Sequence, residues 1–178
     1  MGKLIASAYE KLYRRPAPPY VREYSVWHVI TIPLRKWLTN AVAANCPFNC
    51  IRILLYRICG FRIGKHTHIG MRCYLDDHCH KLIEIGDHVT ISYGVFFTCH
   101  GHGQKHCPIR IEDGAYIGMR ANLLSKNKNG SDRGIVIGKG AVVGACALVN
   151  CDVPEGATAV GVPCRILQKE VRDAENDE

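Results

Sequence analysis

Residues 135–149 read Ile135-Val136-Ile137-Gly138-Lys139-Gly140-Ala141-Val142-Val143-Gly144-Ala145-Cys146-Ala147-Leu148-Val149. Large apolar residues recur in this stretch at an interval of six, at Ile137, Val143 and Val149. Gly138 and Gly144 follow the first two, and Ala141 and Ala147 hold the fifth place of their hexads. A helix repeats about every 3.6 residues and a strand about every 2, so neither produces this spacing. Working outward, the phase returns at Ile111, Ile117 and Leu123, at Ile85, Ile91 and Phe97, and at Ile63, Ile69 and Leu75. Four extra residues precede Ile85, and eight precede each of Ile111 and Ile137. Glycine follows six of these twelve residues, and the fifth place stays small, with Thr67, Cys73, Cys79, Val89, Val95, Ala115 and Ala121. Twelve apolar picks at the composition of this chain have a chance probability on the order of 10⁻⁴.

Hexapeptide periodicity is the signature of a parallel β-helix. Each hexad supplies one short flat strand and a tight corner. The aliphatic residue points into a narrow prism and stacks on its copy one coil away. Glycine suits a corner with unusual backbone angles, and the small fifth residue fits a second interior place. Three hexads close one triangular coil, which predicts an all-β fold of about four coils, with the extra residues leaving as loops between coils.

The chain has 178 residues, 47% of them apolar, and a net charge of +7. That suits one domain with a sizeable core and excludes a disordered tail protein. The charge is uneven. Residues 1–65 hold eleven Lys or Arg against two acids, a net +9, whereas residues 66–178 hold twelve against fourteen, a net −2. The basic third reads as helical. Leu4, Ile5, Ala8 and Leu12 recur at helical spacing before Pro16, and Val26, Trp27, Ile30, Leu34, Trp37 and Leu38 make a second stripe interrupted at Pro33. Ile51, Ile53, Leu54, Leu55 and Ile58, with Arg52 and Arg57, make a third short helix ending at Gly60. The organisation expected is a basic helical segment over 1–60, a β-helix over 61–168 with a short C-terminal helix, and an acidic tail over 169–178. Basic helices of this kind cap the domain behind them, or also lie on an anionic membrane surface. They carry no nucleic-acid reading motif, so no nucleic-acid partner is expected.

No apolar run approaches the roughly 20 residues of a bilayer span. The charged first residues do not lead into an export signal, and Ala6 stands where a myristoylation signal needs Ser or Thr. A cytoplasmic location, or one at the inner face of a membrane, is expected. There the ten cysteines are reduced thiols rather than a disulfide framework. Cys73 and Cys79 fall in the small interior column and Cys146 one place off it, so these three are expected to pack as small hydrophobes.

Several pieces together resemble a known family. They are the repeat itself, Ile85-Gly86-Asp87-His88-Val89-Thr90-Ile91, Thr98-Cys99-His100-Gly101-His102-Gly103, Ile117-Gly118-Met119-Arg120-Ala121, the closing Val160-Gly161-Val162-Pro163-Cys164-Arg165, and the lead-in from Ile51 to Gly64. Over residues 50–168 the chain is similar to the hexapeptide-repeat acyltransferases, in the branch with galactoside, maltose and serine acetyltransferases and polysaccharide O-acetyltransferases. The resemblance implies a left-handed parallel β-helix, against the usual right-handed crossover. It also implies a homotrimer, with acetyl-CoA as the acyl donor between neighbouring prisms and no metal. The activity it implies is acetyl transfer to a hydroxyl of a sugar or glycan acceptor, as in polysaccharide biosynthesis.

That chemistry needs a base for the hydroxyl proton, donors for the oxyanion and a positioned thioester. A neutral His suits the first task. His100, His102 and His106 lie on the loop after the second coil, where the family carries its catalytic His. The text of the motif matches His100 and an ungapped count from Ile85 matches His102, so both stand as candidates. Of the other six, His66, His68, His78, His80 and His88 stand at hexad positions 4 and 6 and are expected on the solvent side, and His28 precedes the repeat. Asp76 and Asp77 occupy a corner that prefers glycine, and either could orient the base or simply make turn hydrogen bonds. For acetyl-CoA the family's positions correspond to Met119, Gly144, Ala145 and Arg165, with Lys126, Lys128 and Arg133 on a loop toward the CoA phosphates. Asn150-Cys151 stand where the family has Thr-Lys. At the galactoside-type substrate site the family has an Asn, and here the stretch reads Arg72-Cys73-Tyr74, a departure that bears on the acceptor.

Two other classes stay open. A gamma-carbonic-anhydrase-like enzyme would hold zinc through His100, His102 and His106 with Cys107, and a non-catalytic β-helix would only bind. Serine and amino sugars stand as alternative acceptors.

Overall fold

The computed structural model describes residues 2–17, 26–100, 106–125 and 133–167. The expected C-terminal helix and acidic tail lie outside the described residues. By contact the chain divides into two units, Met1–Leu38 and Thr39–Glu178.

The first unit is helical. Helix α1 (Gly2–Tyr13) ends before a left-handed Arg14. Behind it Ala17 N–H donates to Glu10 Oε1 at 3.1 Å, and Ala6 and Ala17 bury against Tyr9. Helix α2 (Val26–Trp37) runs through Pro33 rather than breaking there. Trp27, Ile30, Leu34 and Trp37 are exposed, and their spacing puts them on one side of the helix.

After a π-helical turn, Leu38–Ala43, helix α3 (Asn49–Ile58) leads into thirteen short strands. These are β1 (Arg62–Ile63), β2 (His68–Ile69), β3 (Ile83–Ile85), β4 (Thr90–Ile91), β5 (Phe96–Thr98), β6 (Ile109–Ile111), β7 (Tyr116–Ile117), β8 (Asn122–Leu124), β9 (Ile135–Ile137), β10 (Val142–Val143), β11 (Leu148–Val149), β12 (Thr158–Val160) and β13 (Arg165–Leu167). They form three sheets in the orders β1-β3-β6-β9, β2-β4-β7-β10-β12-β13 and β5-β8-β11. The pairings are parallel except β12 with β13. The register is the hexad phase. Ile63 pairs Ile85 and Ile85 pairs Ile111, Ile69 pairs Ile91 and Ile91 pairs Ile117, and Phe97 pairs Leu123, which pairs Val149. Ile69, Ile91, Ile117, Phe97 and Leu123 have no exposed surface, so each sheet contributes one column to a shared interior.

The glycine column has a different cause from the one expected. Gly64, Gly70, Gly118 and Gly138 do not have positive φ. A Cβ on Gly118 would lie 2.5 Å from Ala145 N, and one on Gly70 2.6 Å from the Ser92 carbonyl carbon. They are glycine because the next coil's backbone passes too close for a side chain. The left-handed position falls two residues later, at His66, Arg72, His88, Arg120 and Cys146, with φ between 54° and 58°, and at Gly94, Gly114 and Gly140. Cys146 is therefore an exposed corner residue, not the packed one expected. Cys73 and Cys79 are buried as expected, and none of the ten cysteines is in a disulfide.

Helix α3 closes one end. The free edge of β2 is satisfied by Asn49, whose Oδ1 accepts from Ile69 N–H at 3.1 Å and whose Nδ2 donates to Thr67 O at 3.1 Å. Arg52, 2% exposed, donates from Nε to Ile69 O at 2.6 Å and from Nη1 to Cys46 O. Arg57 donates to Ile63 O and Gly64 O at 3.1 and 2.6 Å. An edge covered this way cannot template another chain. The contacts tie α3 to the strands, so the unit boundary falls at Leu38 rather than at residue 60. At the other end β13 folds back on β12 and brings Cys164 Sγ to 3.6 Å from Cys151 Sγ.

Candidate active site

The sheet of β5, β8 and β11 alternates side chains as strands do. Phe97 and Cys99 are buried, while Phe96, Thr98 and His100 point outward. One coil earlier Tyr74 pairs Phe96, which sets Asp76 beside the Thr98–His100 segment. Asp76 has no exposed surface. Its Oδ2 accepts the Cys99 N–H at 2.9 Å and bonds His100 Nδ1. Its Oδ1 accepts the His78 N–H at 3.2 Å. The corner Asp thus makes a turn hydrogen bond of the expected kind and also reaches the histidine.

Charge and burial act together here. Burial first, then the Asp76 and Asp77 carboxylates, push the Cys79 thiol up to about 11 and the Tyr74 hydroxyl up to about 12. Burial first, then the Asp76 carboxylate with Cys79 and Cys107, raises Cys99 as well. His100 keeps 41% of its side chain exposed. With Nδ1 turned to Asp76, Nε2 is the ring nitrogen left to meet a substrate. A carboxylate on Nδ1–H selects the tautomer whose lone pair sits on Nε2, the form a general base needs.

Asp77 is also buried, but its Oδ2 has no hydrogen-bond partner among the described residues. His102 lies outside the described residues, as do Lys126 and Lys128. His78, expected only on the solvent side, stands 5.5 Å ring to ring from His100, and His106 stands 6.3 Å away. The nearness of His78 was readable only through its place two residues after Asp76, where an Asx turn catches its N–H. Among the described residues, Asp76, Cys79 and His100 alone bring three metal-type ligand atoms within 4.8 Å of one another. His106 and Cys107, members of the zinc set considered above, are not in that group.

The profile described as "Hexapeptide repeat of succinyl-transferase" matches residues 108–151. YvoF of Bacillus subtilis, named an acetyltransferase, is 32% identical over 152 residues, covering 80% of this chain and 84% of that protein. The chain belongs to the hexapeptide-repeat acetyltransferase family. Galactoside O-acetyltransferase of Escherichia coli is 30% identical over 130 residues, 64% of this chain and 58% of that one. Among solved structures, the hexapeptide-repeat acetyltransferase VCA0836 of Vibrio cholerae, complexed with acetyl coenzyme A, superposes with a TM-score of 0.57 at 27% identity over 78% of this chain and 84% of that one.

In this hexapeptide-repeat acetyltransferase the expected acyl-donor residues gather at one corner. Met119 follows β7 and Gly144 and Ala145 follow β10. Met119 O accepts the Cys146 N–H at 2.8 Å, and Arg165 pairs Val160 at the end of β12. All are at the end of one sheet, and Met119, Ala145 and Arg165 are exposed. His100 is on the corner after the next sheet, so one prism does not hold both sets at one corner. Arg133 lies 3.6 Å from Asp152.

Proposed function

We propose that the chain moves an acetyl group from acetyl-CoA to a hydroxyl of a sugar or glycan, with His100 as general base and Asp76 as its positioning residue. The bond between His100 Nδ1 and the buried Asp76 carboxylate carries this reading. Nε2 of His100 takes the acceptor's hydroxyl proton while the oxygen attacks the thioester carbonyl. The tetrahedral oxyanion then collapses, the C–S bond breaks, and the imidazolium returns the proton to the sulfur to give free CoA and the acetyl ester. Asp76 keeps Nδ1 protonated and stabilises the imidazolium.

The acyl donor runs along the corner of Met119, Gly144, Ala145 and Arg165, with Lys126 and Lys128 toward its phosphates. The separation of that corner from His100 supports a homotrimer, in which neighbouring prisms unite the two sets. About four coils wound left-handed complete the fold. The chain works at the inner face of a membrane. No described helix is long and apolar enough to cross one, so the contact is peripheral. Its support is the outward stripe of α2 and the outward face of α3, where Phe48, Ile51, Leu54 and Ile58 are exposed.

The test is acetyl-CoA consumption and ester formation across a panel of glycan acceptors, with His100→Ala and His102→Ala compared. Loss of about 10²–10⁴-fold at His100→Ala alone supports the assignment. Full activity of His100→Ala, with loss at His102→Ala, overturns it.

A further inference from the structure

A second candidate site lies on the earlier coils of the acyl-donor corner, between the β2-containing sheet and the β5-containing sheet, where Arg120 adjoins Met119. A cavity of about 360 Å³ opens there, lined by Arg72, Tyr93, Gly94, Phe96, Arg120 and Asn122. Arg72, Gly94 and Arg120 hold the same left-handed corner position on three successive coils, with φ of 55°, 71° and 55°. Gly94 N–H donates to Met71 O at 3.0 Å, and Arg120 N–H to Tyr93 O at 3.0 Å, so the three are stacked. Non-glycine residues are uncommon at such angles. Here two of three are arginines, and the middle one is the residue without a side chain. A Cβ at Gly94 would already stand 3.4 Å from Arg120 Cγ. The missing side chain leaves a gap flanked by two guanidiniums.

The lining has no carboxylate, and neither Arg72 nor Arg120 makes an ion pair among the described residues. Arg72 lies 5.8 Å from the centre of the Tyr93 ring. Another cavity, of about 350 Å³, differs in that Glu84, Glu112 and Asp113 line it and its Arg110 is paired with Glu84. Guanidiniums that line a cavity without an ion-pair partner suit an oxyanion, which a guanidinium holds bidentately. Tyr74 and Phe96, with rings 5.8 Å apart, form an apolar step beside the gap. From Phe96 the strand's alternation carries the same outer face through Thr98 to His100, roughly 13 Å along an extended chain.

We propose that this corner is an acceptor subsite for an anionic group, a carboxylate or phosphate borne on a sugar ring, and that the acceptor is an acidic oligosaccharide of at least two residues. The inference rests on the acetyl-transfer reading above and names its substrate class.

Binding separates the two readings. A His100→Ala protein is titrated calorimetrically with a galacturonate disaccharide, with the corresponding galactose disaccharide, and with galactose 6-phosphate. Tighter binding of the galacturonate or phosphate probe, by about tenfold or more and lost in Arg72→Gln and Arg120→Gln, supports the subsite and says which oxyanion it takes, whether or not His100 is the base. Equal binding of neutral and acidic disaccharides, or no binding of either, overturns it. In the active enzyme, Arg72→Gln and Arg120→Gln raise KM for an acidic acceptor with little change in KM for acetyl-CoA. If instead acetyl-CoA KM rises and acceptor KM holds, the two arginines serve CoA's phosphates and the assignment fails. A change of oligomeric state with unchanged acceptor binding fails it too.

Discussion

His100 Nδ1 is hydrogen-bonded to Oδ2 of Asp76, a carboxylate with no exposed surface that also accepts the Cys99 and His78 backbone N–H groups. The carboxylate is held from three directions, so the imidazole is oriented by a rigid group. Asp76→Asn keeps the size but loses the charge and offers an amide to Nδ1. The turnover number should fall by about 10²–10⁴-fold, with KM for acetyl-CoA little changed. Unaltered turnover in a folded Asp76→Asn protein would remove Asp76 from the mechanism.

Arg52 is a structural cation, not a surface one. Arg52→Met removes the donors to Ile69 O and Cys46 O, and each buried acceptor left unpaired costs about 1–3 kcal/mol. Urea denaturation should show a loss of about 3 kcal/mol or more. Arg57→Ala, at an exposed site, should cost about 1 kcal/mol. Equal losses would contradict the asymmetry in burial.

The two corner columns should respond with opposite signs. Gly118→Ala drives a Cβ to 2.5 Å from Ala145 N, overpacking that costs about 1–3 kcal/mol. Cys146→Gly relieves a non-glycine residue at φ 58° and should stabilise by about 1 kcal/mol. Melting temperatures of the two variants on either side of the parent check both at once.

Thiol reactivity should follow exposure. Burial and the neighbouring carboxylates push Cys79 up to about 11, so near pH 8 it stays protonated, and the thiolate is the reactive form. Exposed Cys50 and Cys146 should alkylate in the native protein. Cys73, Cys79 and Cys99 should alkylate only after unfolding, as read by peptide mass spectrometry. Raising the pH from 8 to 9 should still leave Cys79 unlabelled.

Both tryptophans, Trp27 and Trp37, are in α2, so intrinsic fluorescence reports directly on the proposed membrane contact. From Tyr24 to Leu75 the chain has seven Lys or Arg and no acid. Emission should move to shorter wavelength with vesicles containing phosphatidylglycerol but not with neutral ones, and the shift should shrink as salt is raised. Ile51→Asp with Leu54→Asp should weaken co-sedimentation. No shift with anionic vesicles at low salt would exclude the contact.

The hexad period was enough to name the prism's interior. A repeating coil gives equivalent positions equivalent surroundings, so Ile69, Ile91 and Ile117 announce one another along the chain. The Asp76 exception to the glycine column was legible for the same reason. Which histidine Asp76 would meet was not, because motif text and residue count pointed to different loop positions. His100 and Asp76 are 24 residues apart and are joined by the stacking of one coil on the next.

By itself, then, the sequence determined the hexad phase, the core columns, the basic N-terminal third and the pair of acids at an anomalous corner, all of which are carried by local periodicity and composition. Only the tertiary structure decided why the glycines are glycine, that Arg52 faces inward to close a sheet edge, that Cys146 faces outward, and that Arg72 and Arg120 flank the gap at Gly94. Those depend on distances between coils, and the distances exist only once the strands are stacked in register.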